Sequence, residues 1–112
     1  MSNKEHLLSL VRQRYAETVA WSYQLEELYS RIEKARKELR AYKPLWDQAE
    51  AELAADERAT QEYARQSQPY VTLSIDDFSN EEQEEITVLL KTGVELVRRL
   101  REKFDQVRHA QR

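Results

Sequence analysis

Cysteine is absent from this chain, glycine occurs once (Gly93), and proline occurs twice (Pro44 and Pro69). The lack of cysteine excludes disulfides, thiolate zinc sites and cysteine nucleophiles, and it leaves the redox compartment open. Histidine is nearly absent too. His6 and His109 stand in opposite terminal turns, without a ligand-spaced partner, so neither a metal site nor imidazole catalysis is expected. Ser67, Ser74 and Ser79 lack a nearby histidine and any nucleophile-elbow pattern. The acidic run Asp76–Glu85 has neither the ligand spacing nor the turn glycine of a calcium loop. No enzyme and no cofactor is therefore expected. Long apolar runs are missing as well. The N-terminal apolar stretch is cut by Arg12 and Arg14, so it does not read as a signal peptide, and nothing is long enough to span a bilayer. The expectation is a soluble, cytoplasmic protein with no membrane partner.

What the chain does contain is charge and helix-forming residues. Of its 112 residues, 35% are charged, and the formal net charge is −3. Such a composition, poor in helix breakers, is that of long helices and coiled coils. From Trp21 the apolar positions fall in heptad spacing: Leu25, Leu28, Ile32, Ala35, Leu39 and Tyr42. The same phase continues beyond Pro44 through Trp46, Ala49 and Leu53. Such a stripe has to find a partner helix. Proline interrupts an interior helix at a cost of about 3 kcal/mol. The unbroken phase, and the lack of a Gly or Asn to stop the first helix, favour one long helix over about 3–66, kinked at Pro44. The alternative places Pro44 in the first turn of a separate helix. Asp56 and Thr60 then occupy stripe positions where apolar residues belong.

Residues 67–78 read as an extended linker in which Val71, Leu73 and Ile75 alternate as a strand would. A second long helix follows over about 80–110. Ser79 and Glu82 have capping-box spacing, and Ile86, Leu90, Gly93, Val97, Leu100, Phe104 and Val107 form the stripe. Leu89, Val94 and Leu96 widen that stripe. The expected fold class is all-α: one helical domain over 1–112, built as a long coiled-coil-like helical hairpin.

Folding that hairpin near Leu73 lays the last helix along residues 34–66. Gly93 then faces Leu53, Val97 faces Ala49, Leu100 faces Trp46 and Phe104 faces Tyr42. Residues 3–33 stay uncovered, an apolar patch larger than monomers tolerate. Self-association as a symmetric dimer is the expected remedy, through Leu8, Val11, Tyr15, Trp21, Tyr23, Leu25, Leu28 and Tyr29. A three-helix monomer and pairing with a different protein are the rival solutions.

Charge is segregated. Residues 31–43 carry six basic and two acidic side chains, and 91–112 carry seven and three. In the hairpin both stretches share one end. Arg36, Lys37, Arg40, Arg98, Arg101 and Arg108 could there hold the phosphates of a nucleic acid. The expected function is nonetheless protein–protein interaction, as a small adaptor, assembly factor or regulator, with accessory nucleic-acid binding as the alternative.

Overall fold

The computed structural model describes residues 2–110 and is all-helical. Three long helices follow one another: α1 (Asn3–Lys37), α2 (Lys43–Ser67) and α3 (Asn80–Ala110). Two single 3-10 turns, Gln68–Tyr70 and Ile75–Asp77, lie between α2 and α3. Among the described residues no helix is long and apolar enough to cross a membrane.

The chain breaks before Pro44 instead of bending through it. The stop signal is a left-handed residue that is not glycine: Leu39 has φ 56°. Around it the Arg40 amide donates to the Ala35 carbonyl at 2.8 Å and the Leu39 amide to the Arg36 carbonyl at 3.1 Å. These paired bonds satisfy the last carbonyls of α1 and reverse the chain. Pro44 then sits in the first turn of α2. Its missing amide has no intrahelical partner at that position, so the proline costs nothing there. The single kinked helix expected over 3–66 is thus two helices.

This break sets the topology. Arg14 of α1 bonds Asp56 of α2, and Trp21 bonds the Glu52 carbonyl, so α1 and α2 run antiparallel. Arg12 bonds Glu85 and Lys103 bonds Glu26, so α1 and α3 run parallel. The result is an up-down-up bundle measuring 55 × 23 × 21 Å. α2 and α3 pack more closely on α1 than on each other.

Two apolar clusters hold the bundle. The larger joins Trp21, Leu25, Leu28 and Ile32 of α1 to Ala49 and Leu53 of α2 and to Leu100, Phe104 and Val107 of α3. Phe104 is fully buried, with Tyr29 edge-on at 5.9 Å and Trp46 at 6.0 Å between ring centroids. The smaller cluster, at the opposite end, joins Leu8, Phe78 and Ile86, with Leu7 and Leu73 against it.

Two packing expectations are corrected here. Arg101, not Gly93, stands beside Leu53, its guanidinium reaching the Leu53 carbonyl at 3.4 Å. The expected register was therefore displaced by about two helical turns, because α3 covers α1 as well as α2. The linker, further, forms no strand among the described residues. Ser74 and Asp77 cap a local turn: the Asp76 amide donates to Ser74 Oγ at 3.2 Å and the Ser74 amide to Asp77 Oδ2 at 2.8 Å. Such local bonds outcompete an unpaired strand. Leu73 turns inward, while Val71 and Ile75 remain exposed. At the start of α3 the Ser79–Glu82 capping box is formed in both directions, at 2.9 and 3.2 Å.

Candidate functional site

Between the two apolar clusters the bundle turns polar. Asp56 is buried on α2. Its Oδ1 accepts from Arg14 of α1 at 2.7 Å, and its Oδ2 accepts from Arg101 of α3 at 3.4 Å. The Arg14 guanidinium also donates to Thr60 Oγ1 at 2.8 Å, and that hydroxyl donates to the Asp56 carbonyl at 3.0 Å. One carboxylate thereby joins all three helices. No buried side-chain nitrogen or oxygen among the described residues lacks a hydrogen-bond partner. Asp56 and Thr60 were visible as faults in the stripe of α2. That their partners are Arg14 and Arg101 became readable only once α1 and α3 were placed.

Next to this junction α2 and α3 leave a groove. Its lining includes Val11, Tyr15 and Thr18 of α1, Thr60 and Tyr63 of α2, and Leu89, Leu90, Gly93, Val94 and Val97 of α3. The cavity volume is about 270 Å³, and its walls are mostly apolar. Burial pushes the Tyr63 phenol above its ordinary pKa, against a weaker pull from Arg14. The groove opens to solvent along α3, where Leu90 is 41% and Val94 69% exposed. A Cβ added to Gly93 would meet nothing within 4 Å. Thr60, at a stripe position of α2, puts a hydroxyl on the groove wall where an apolar side chain is expected.

The residues expected to form a free N-terminal interface are mostly consumed by the fold. Leu8, Val11, Trp21, Leu25 and Leu28 are buried inside the chain's own bundle. The break after α1 folds α2 and α3 over them, so the uncovered overhang does not exist. Tyr29 packs against Phe104, and Tyr15 lines the groove. Tyr23 alone of the eight is largely exposed, at 73%. The aliphatic residues of α3 that widened its stripe, Leu89 and Val94, mark the groove that sequence reasoning had not located.

The basic stretches do share one end of the bundle, since the C-termini of α1 and α3 lie together. Carboxylates neutralise much of that charge. Arg36 pairs with Glu33 at 2.8 Å, Arg40 with Glu38 at 2.6 Å and Arg108 with Glu50 at 2.6 Å. Arg98 is clasped between Glu95 and Glu102, which raises its pKa, and Arg101 belongs to the Asp56 junction. Of the six, Lys37 is the one without a carboxylate partner among the described residues. Arg98 also lies on the order of 20 Å along the bundle from Arg36, at 1.5 Å per residue.

Comparison with protein-family models, curated proteins and solved structures finds no match. Among the described residues no group of His, Asp or Glu side chains is arranged to hold a metal ion.

Proposed function

We propose that this chain is a non-enzymatic protein–protein interaction module that takes up an amphipathic helix in the groove between α2 and α3. The observation that carries this reading is the exposure of Leu90 and Val94 on the rim of an apolar groove. Elsewhere the bundle surface is densely ion-paired. Scattered exposed aliphatics need no explanation, but aliphatics lining a concavity between two helices match the way helices dock into grooves. Fully burying a Leu or Val side chain contributes about 1.5–3 kcal/mol. Covering Leu90 and Val94 contributes part of that, and the incoming helix's own apolar side chains, filling the groove, contribute the rest.

A photo-crosslinking residue at Val94, introduced in the protein's own cells, tests this. The expected outcome is a protein adduct at position 94 that is lost in Leu90→Asp. A probe at Gln106, exposed on the same helix outside the groove, should give none. Absence of any adduct at 94, to another protein or to a second copy, would remove the reading.

A further inference from the structure

We infer that the α1–α2 turn is a hinge whose partner is a second copy of this chain: the turn straightens, and α1 of each copy packs against α2 and α3 of the other. This goes beyond the groove reading and does not rest on it.

The turn is strained and poorly supported. Leu39 is held at φ 56° and is 94% exposed, a conformation that crowds its Cβ against the backbone. Residues 38–41 are exposed, and the ion pair of Arg40 with Glu38 stays inside the turn. Tyr42 does lie against the larger cluster, but it gives α2 no side-chain cap. Straightening removes the left-handed residue and offers partners to the uncapped first amides of α2. Short strained connections between packed helices invite exchange of this kind.

The register of the bundle fits a symmetric pair. Gln24 and Glu52, Leu28 and Gln48, and Glu17 and Ala59 line shared clefts between α1 and α2, each pair centred on position 38. The bonds from Arg14 to Asp56 and Thr60, and from Trp21 to Glu52, centre between 35 and 37. A twofold axis near the end of α1 therefore rebuilds these contacts between two antiparallel copies. The heptad keeps its phase across the turn, so a straightened helix carries the α1 and α2 members of the larger cluster on one face. Leu39 joins that face beside the axis, level with the buried Ala35 of the other copy.

The same contacts name the occupant. α2 and α3 pack on α1 far more than on each other. A departing α1 thus leaves a vacancy that another α1 fills with every bond in place, whereas a foreign helix would have to reproduce Arg14, Trp21 and the stripe between them. Pro44 opposes the exchange. It is harmless in the first turn of α2, but inside a continuous helix its ring meets the Arg40 carbonyl and offers that carbonyl no amide. Strain in the folded turn and Pro44 in the straight one act against each other, which leaves both forms accessible.

The test unfolds equal amounts of heavy-isotope-labelled and unlabelled chain together and refolds them at several hundred micromolar. Size exclusion should resolve a dimer from the monomer. Carbodiimide should link Lys103 to Glu26, whose charged atoms lie 2.9 Å apart. In the dimer fraction these linked peptides should join a heavy chain to a light one. Pro44→Ala should tighten the dimer on the order of a hundredfold. Leu39→Gly should weaken it roughly tenfold, because it relieves the monomer's turn and removes the side chain beside the axis. Both positions are exposed, so helical circular dichroism should persist in each variant. A wild type that stays monomeric after refolding overturns the inference. So does a dimer whose Glu26–Lys103 links join only chains of like isotope, or one indifferent to both substitutions.

Discussion

Leu39 shows how one residue misleads a reading of the chain. The heptad counts it as a core position, yet it is 94% exposed and held at φ 56°. A left-handed backbone crowds Cβ against the following carbonyl, which costs an L-residue about 1–2 kcal/mol. Leu39→Gly removes that cost and gives up no packing. Its gain is partly offset by the greater freedom of glycine in the unfolded chain. The expected net effect is a stabilisation of roughly 0.5–1 kcal/mol, read from urea unfolding with an unchanged m-value. A loss of stability would mean that Leu39 makes contacts which its exposure denies. The break after α1 was hard to read because the turn employs a leucine where glycine is usual.

At the scale of the element, α3 is fastened to α1 at its acidic start. Glu85 accepts from Arg12 at 2.5 and 3.0 Å, and Lys4 approaches Glu82 at 3.1 Å. The hydrogen bond from Arg12 lowers the pKa of Glu85. The Ser79 backbone amide, and then Lys4, lower that of Glu82. Both carboxylates are depressed, so their contribution is fully present above the ordinary glutamate value of about 4.3. It is lost as pH falls below that value through the shifted ones. The carboxylates are only partly buried and solvent screens them, so the effect is local. Hydrogen exchange at pH 3 against pH 6, corrected for intrinsic rates, should show the first turns of α3 opening before residues 97–107. Uniform loss of protection would contradict a separately fastened start. The Ser79–Glu82 capping box was readable because it depends on neighbours three residues apart. The two ion pairs to α1 were not, since each joins residues more than seventy positions apart.

For the whole molecule the Asp56 junction is the point of greatest coupling. Removing one partner of a buried ion pair leaves the other desolvated and unpaired. Asp56→Ala is expected to cost about 3 kcal/mol, seen as a lower urea midpoint for all three helices together. Thr60→Val should cost less, since Arg14 keeps its carboxylate. If Asp56→Ala unfolds α2 alone while α1 and α3 stay protected, the junction does not couple the bundle. Arg14 and Thr60 of the same junction line the groove. Thr60→Leu, which puts a larger apolar side chain on the groove wall, should narrow the groove and weaken crosslinking at Val94.

The sequence by itself determined the all-helical class, the interruption near 67–78 and the cap at Ser79. Composition and three-residue spacings suffice for these, because they are local. It also determined which side chains are apolar enough to need burial, including all nine residues of the larger cluster. The tertiary structure alone decided what buries them. A heptad states that a stripe needs a partner and is silent on whether that partner lies on the same chain. The αL turn at Leu39 settled this by folding α2 and α3 over α1. It turned the expected overhang into core and left the remaining apolar opening beside Gly93.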